Sequence, residues 1–309
     1  MKKLIIIAGP TASGKTAVAV ALAKQINGEV ISADSMQIYK GMDIGTAKPT
    51  MAECDGVPHH MIDIVTPDIA YSAALYQQQA RAAINDVISR GKIPILCGGT
   101  GFYINAVLYD INFAVAEDEN PRQIFKAIAA TQDPAQLHAQ LQAQDPSAAE
   151  VIHPNNVKRV VRALSYIHAT GQLFSQYNAA QKKQPLVYEA VFCCLGVGRP
   201  ALYQRINSRV LAMFEAGLED EVAGLLAQGY HTGLVSMQGI GYKETAQYIN
   251  GCCTRPEVID LIQQNSRHYA KRQETWFRHQ APQAQIISAE ERLPSEIAKE
   301  IAEKSINSF

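Results

Sequence analysis

The chain of 309 residues lacks most of the compositional features that would assign it to a class at once. It lacks net charge: 28 Lys and Arg nearly balance 29 Asp and Glu, leaving −1. No global basic field can hold a nucleic acid, so such a partner needs a local patch. It lacks any apolar run near the ~18 residues of a membrane span. The basic, apolar start from Met1 to Ile7 stops at Gly9-Pro10, too soon for a secretory signal. Its six cysteines, Cys54, Cys97, Cys193, Cys194, Cys252 and Cys253, form no C-x-x-C pair, which argues against zinc modules. Free, mostly buried thiols in a reducing compartment are expected. No repeat and no disordered tract appears, and no surface stripe suggests an obligate dimer. A cytoplasmic monomer with a sizeable core is expected from these absences.

What is there is alternation. Leu4 to Ala8 is a short apolar run suited to a strand buried on both faces. A Gly-rich loop follows, then an Ala- and Val-rich helix over Lys15 to Ile26. Glu29 to Ser32 reads as a second strand, His60 to Val65 as a third and Ile93 to Cys97 as a fourth. Helices are expected over Tyr71 to Arg90 and Phe102 to Leu108. Strands alternating with helices imply a parallel α/β sheet. The stretch from Ser35 to Pro49 has no period and reads as a long functional loop. From Glu117 to Gln184 the composition turns to Ala and Gln. Asp133-Pro134, Asp145-Pro146 and His153-Pro154 look like helix starts there. A helical insertion domain over 113–187 therefore interrupts a core formed by 1–112 and 188–309. A strand-like run at Val187 to Val197 is followed by helices, the longest over Pro256 to Gln280, and Gln285 to Ser288 is a candidate last strand.

Gly9-Pro10-Thr11-Ala12-Ser13-Gly14-Lys15-Thr16 matches G-x-x-x-x-G-K-[ST] between a strand and a helix. Backbone N–H groups of such a loop and the positive helix end bind phosphate oxygens. Lys15 adds a cation, and the Thr16 hydroxyl is placed to ligate Mg²⁺. ATP-hydrolysing proteins of this type usually carry a strand-end Asp for the metal and water. Here Ile93 to Cys97 ends in Gly98-Gly99-Thr100, with no acid. A motor or GTPase is disfavoured. A small-molecule kinase survives, as does an enzyme that expels pyrophosphate.

Asp34 follows strand two, at the sheet end where ligands of parallel sheets lie. A carboxylate beside phosphate points to a metal ligand or a general base. A turn Asp capping its own backbone is the plain alternative.

Three blocks together resemble one family, the tRNA dimethylallyltransferases of bacterial type. They are Gly9 to Thr16, Asp34-Ser35-Met36-Gln37-Ile38-Tyr39 through Pro49, and Gly98-Gly99-Thr100-Gly101-Phe102-Tyr103. His153-Pro154-Asn155-Asn156, Gly239-Ile240-Gly241-Tyr242 and Lys271 to Arg278 fit the same family. The resemblance implies a P-loop NTPase-like parallel sheet flanked by helices, with the helical insertion contacting tRNA. It implies attack by N6 of adenine 37, in tRNAs reading codons that begin with U, on C1 of dimethylallyl diphosphate. Pyrophosphate leaves and N6-isopentenyladenosine remains. By the same resemblance the loop, Gly9 to Thr16, holds the diphosphate with Mg²⁺ on Thr16. Asp34 is the base or hydrogen-bonds the amine, Thr100 lies near the acceptor nucleotide, and Arg209 reaches the diphosphate. Arg205, one helical turn away, competes with Arg209 for that role.

The implied partner is a tRNA anticodon stem-loop, whose target base must be splayed out. Asp34, Ser35, Met36 and Gln37 are expected at that base. Arg122 and the run Lys158, Arg159, Val160, Val161 and Arg162 are expected to contact tRNA from the insertion. Met237, Gln238, Gly239, Ile240, Gly241 and Tyr242 are expected to read the anticodon loop. Arg267, Lys271, Arg272 and Arg278, with Tyr269, Trp276 and Phe277 interleaved, suit stem binding, but a solvated helix face with some of the aromatics in the core is the plainer reading of this stretch alone. Two alternatives stand beside this reading: a P-loop kinase of a small metabolite, and an RNA-binding module with a vestigial nucleotide site.

Overall fold

The computed structural model describes residues 2–111, 113, 119–181 and 184–308. Among them lies one six-stranded, wholly parallel sheet in the order β3-β2-β4-β1-β5-β6. Its strands are β1 (Lys2–Ala8), β2 (Gly28–Ser32), β3 (His59–His60), β4 (Ile93–Gly98), β5 (Tyr188–Gly196) and β6 (Gln285–Ser288). The run of Ile5, Ile6 and Ile7 is buried throughout because β1 sits in the middle, covered on both faces. Ile5 and Ile7 enter a core shared with α1 (Lys15–Ile26), whose N-terminus receives the Gly-rich loop.

Chain direction places the helices. The step from β1 to β2 runs one way across the sheet, and the step from β3 to β4 runs the other. Right-handed crossovers then put α1 and α3 (Ala73–Ser89) on opposite faces. A four-residue helix, α2 (Met51–Cys54), precedes β3, and Thr50 caps it with a reciprocal bond to Glu53. Helix α4 (Gly101–Leu108) leaves β4 and packs on α3.

The third strand is shorter than the sequence suggests. It ends at His60 because Met61 and Asp63 turn through positive φ. The chain then pairs with the loop after β2: Asp63 N donates to Gln37 O, and Ile64 N donates to Ile38 O.

Residues Tyr109–Leu186 form a compact unit of their own, starting four residues before the expected 113 and ending one before 187. It is helical: α5 (Glu119–Thr131), α6 (Pro134–Gln144), α7 (Pro146–Val151), α8 (Val157–Thr170) and α9 (Phe174–Gln181). Asp133 and Asp145 cap α6 and α7 with Pro in the first turn, as the sequence suggests. His153-Pro154 does not start a helix. The His153 ring and carbonyl accept from Asn155 and Asn156 in a turn, and α8 begins only after Asn156. Leu137, Leu141, Val160, Leu164 and Phe174 are among the residues of this unit's own core.

The other unit, Met1–Leu108 with Val187–Phe309, contains the sheet. Its later helices are α10 (Arg199–Glu215), α11 (Leu218–Ala227), α12 (Tyr242–Ile249), α13 (Arg255–Gln280) and α14 (Pro294–Ser308). Helices α10 to α13 bury Val210, Phe214, Leu218, Tyr242 and Ile262 against Ile38, Tyr39 and Met42 of the loop after β2. That loop is therefore a packed element, although it has no regular structure. No described helix is long and apolar enough to cross a membrane. All six thiols are free, but only Cys97 and Cys193 are buried, fewer than expected.

Candidate active site

Strand register brings the loops together. Ala8 lies beside Gly98 and Cys194, and Ser32 lies beside Cys97, so β1, β2 and β4 stop at the same level. Each then releases one functional segment: the Gly-rich loop, Asp34, and Gly99-Thr100. The β2 and β4 exits touch directly. Ala33 N donates to Cys97 O at 2.8 Å, and Thr100 N donates to Ala33 O at 3.1 Å. A Cβ at Gly98 would collide with the Ala33 carbonyl, so only glycine permits this approach. Gly14 serves the loop differently. Its φ of +87° gives the left-handed turn that delivers the chain into α1.

A cavity of about 480 Å³ opens over these exits. Lys15, Thr16, Asp34, Gly99, Arg209 and Tyr269 are among its lining residues. Burial costs the Lys15 ammonium its hydration, and nearby Arg209 repels it. Together they bring its pKa down to about 8, with Cys97 and Asp34 opposing. Its Nζ donates to Pro10 O at 2.6 Å. Burial acts on Asp34 in the opposite sense and raises its carboxyl pKa. Bonds from the Met36 and Gln37 amides and the charges of Lys15 and Arg209 pull it back. Both amide bonds fall on Oδ1, at 2.8 and 3.4 Å.

Arg209 and Arg205 point to different places. Arg209 Nη1 donates to Thr11 Oγ1 at 3.3 Å, over the Gly-rich loop. Arg205 Nη2 donates to Ala289 O beyond β6. Arg209 is thus the cavity arginine. Thr100 Oγ1 accepts from Ser35 N at 3.1 Å and ties the Asp34 turn to α4.

Residues 37–280 match the family described as IPP transferase. The chain belongs to that family. It is 49% identical over 282 residues to the tRNA dimethylallyltransferase of Geobacillus thermodenitrificans, covering 91% of this chain and 89% of that one. It is 48% identical over 277 residues to the tRNA dimethylallyltransferase of Bacillus subtilis, covering 89% and 88%. Among solved structures, the Staphylococcus epidermidis tRNA delta(2)-isopentenylpyrophosphate transferase superposes with a TM-score of 0.74 at 40% identity and covers all of both chains. A eukaryotic dimethylallyltransferase acting on tRNA superposes with a TM-score of 0.86 at 30% identity, covering 99% of this chain and 80% of that one. The sheet is accordingly P-loop NTPase-like, as in those IPP transferases.

Not every expected residue can play the part the sequence suggests. Val160 and Val161 are buried on the inner face of α8, so only Lys158, Arg159 and Arg162 of that run present side chains outward. Met237 and Tyr242 are buried too. Tyr242 OH donates to Glu221 at 2.6 Å, which makes Tyr242 scaffold. Gln238 is exposed, and Gly239 packs so closely on Met36 that a Cβ there would meet its methyl group. The segment 237–242 and the Asp34 turn therefore form one surface. The Gln37 amide is already engaged with Ser32 Oγ and the Thr46 and Ala47 carbonyls, so it braces the loop. The Arg122 side chain lies outside the described residues. On α13, Arg267 is spent on Asn207 at 2.6 Å, Phe277 is core and Trp276 packs on Gly101. Lys271, Arg272 and Arg278 are exposed.

Two residues escaped the sequence reading. Glu221 accepts from the amides of Asp43, Ile44 and Gly45 and clamps the loop after β2. Nothing local in the sequence marks it. Gln273 does carry a signal: it is the polar member of a buried helical stripe with Val258, Ile262, Ala270 and Phe277.

Proposed function

We propose that this cavity transfers a dimethylallyl group from dimethylallyl diphosphate to N6 of adenine 37 in tRNAs reading codons that begin with U. The observation that carries the reading is the pairing within one cavity of a complete phosphate loop with Asp34, where the β4 exit offers Gly98-Gly99 in place of an acid. A cavity so equipped binds a phosphate chain without the acid that positions a hydrolytic water, and it sets a base beside it.

The chain's own groups divide the work. Loop amides, the α1 N-terminus, Lys15 and Arg209 take up the negative charge that grows on the departing diphosphate. An adenine amine is a weak nucleophile, its lone pair drawn into the ring, so a base at the amine helps. Asp34 is that base. With Oδ1 held by two amides, Oδ2 is the oxygen that takes the proton. The raised Asp34 pKa makes it a better acceptor than a solvated carboxylate. Thr100 fixes the turn that aims Asp34.

The donor set suits Mg²⁺. Thr16 lines the cavity in the first turn of α1, and the described residues hold no cluster of three His, Cys, Asp or Glu side chains that could cage a metal. Mg²⁺ favours a few protein oxygens completed by substrate phosphates and water, which is what Thr16 beside a diphosphate offers. Bound there, the ion would neutralise leaving-group charge.

The acceptor reading assigns Ser35, Met36, Gln238 and Ile240 to the anticodon loop, and Lys158, Arg159 and Arg162 to its phosphates. The test is direct. Unmodified tRNA is incubated with Mg²⁺ and dimethylallyl diphosphate labelled in the prenyl chain, in parallel with γ-labelled ATP. Prenyl label in the tRNA supports the reading. Label passing only from ATP to a small acceptor overturns it.

A further inference from the structure

The Gln273 amide lies between two strand exits, only 6% exposed. Thr11 N donates to its Oε1 at 2.8 Å, and its Nε2 donates to Gly99 O at 2.9 Å. Only one orientation of the amide works, because the inverted one would set N–H against N–H and C=O against C=O. Gly99 leaves room for it, since a Cβ there would collide with Nε2. One helical turn earlier on α13, Tyr269 lines the same cavity as Gln273.

The consequence falls on the Gly-rich loop. Loop amides serve a phosphate chain only if they face the cavity, and the Thr11 amide is instead spent on Gln273. The Thr11 hydroxyl meanwhile accepts from Arg209. Thr11 is thus pinned through its backbone by α13 and through its side chain by α10. The cation over the loop and the loop's own crest are set by the same residue.

We propose that Gln273 is a positioning residue for the diphosphate. It holds the phosphate loop at a fixed distance from the β4 exit that carries Thr100, and through Thr11 it orients Arg209. This rests on reading the cavity as a prenyl-diphosphate site. Gln273 touches no reacting atom.

The test uses the full chain with Q273L and Q273E, each first checked by thermal unfolding and circular dichroism. Inorganic pyrophosphate binding with Mg²⁺ is measured by calorimetry, and turnover is followed with dimethylallyl diphosphate and tRNA. Q273L leaves a half-buried N–H and a buried C=O without their partner. It should weaken pyrophosphate binding and lower kcat/KM for the donor by about ten-fold or more, with tRNA affinity within about two-fold of wild type.

Q273E separates positioning from mere packing. Ionised, its carboxylate repels Gly99 O. Protonated, its C=O accepts from Thr11 and its O–H donates to Gly99, as the amide does. Its activity relative to wild type should therefore climb as pH is lowered from about 8 to 6, a range that burial opens to a carboxyl group. Folded Q273L that binds pyrophosphate like wild type would overturn the proposal, as would a folded Q273E whose activity ratio is flat with pH. Should Q273E not fold, the Q273L pyrophosphate titration decides alone, and should neither fold, the same titration on Q273N, too short to span both partners, decides. If the wild type transfers no prenyl group, the functional reading falls, while pyrophosphate binding still judges Gln273.

Discussion

At the scale of the residue, Asp34 and Lys15 are displaced in opposite directions by the same burial, and this shapes the pH dependence. A base must be deprotonated, so the rate falls as pH drops through the raised pKa of Asp34. Lys15 must be charged, so kcat/KM, which reports the free protein, should fall as pH rises past about 8. A bound diphosphate favours the ammonium, and the same limb in kcat should move to higher pH. Lys15→Arg keeps its charge throughout and should erase the alkaline limb; a pH profile that retains it would remove Lys15 from the diphosphate. The two arginines of α10 give a second prediction. Arg209→Ala should lower kcat/KM for the donor by about 100-fold, in the range of a lost transition-state donor. Arg205→Ala, whose guanidinium faces Ala289, should stay within about two-fold by the same steady-state assay.

At the scale of the element, the loop after β2 is held from outside itself. The Glu221 carboxylate accepts three consecutive amides and the Tyr242 hydroxyl. Glu221→Ala should destabilise the protein by about 1–3 kcal/mol in urea unfolding, because the half-buried Ile44 and Gly45 amides and the Tyr242 hydroxyl lose a charged acceptor. Faster hydrogen exchange at residues 43–45 should accompany it. This loop also shows where sequence legibility stops. The strands except β3, together with α1 and the Gly-rich loop, could be read because period, burial and glycine placement are local signals. Asp34 could be placed because β2 ends just before it. The bracing of the loop could not, since Glu221 lies about 180 positions away on an ordinary amphipathic helix. Arg205 and Arg209 could not be separated either, since both sit on one helix face and only the tertiary neighbours Ala289 and Thr11 distinguish them. Val160, Val161, Met237 and Tyr242 fell in segments with the right motif, but helix phase and tertiary burial turned them inward.

At the scale of the whole molecule, two features are separable from the cavity. Glu29, the second residue of β2, lies at the strand end far from the cavity. Its buried carboxylate takes bonds from Arg90, Lys92 and His60. The Arg90 bond foremost, then Lys92 and His60, holds its pKa well below the usual 4.5 despite burial. A group depressed in the folded state adds stability above its unfolded pKa and loses it as pH falls through the folded value. Glu29→Gln should therefore lower stability at neutral pH and flatten its decline below about pH 4.5, measured by urea unfolding across pH. The insertion unit, Tyr109–Leu186, offers the complementary case, because its core is its own. Leu164→Ala should destabilise that unit by about 2–5 kcal/mol and weaken tRNA binding, while calorimetry finds pyrophosphate binding unchanged.

The proposed site sets Asp34 between a diphosphate that leaves and an RNA amine that attacks. The measurement that tests it most directly counts pyrophosphate released against N6-modified adenosine formed, for wild type and Asp34→Asn, with tRNA affinity measured alongside. Equal amounts are expected for wild type. Asp34→Asn should show a fall of about 100-fold or more in both, with tRNA affinity retained. Pyrophosphate released without modified adenosine, or an Asp34→Asn protein that turns over normally once saturated with tRNA, would contradict it.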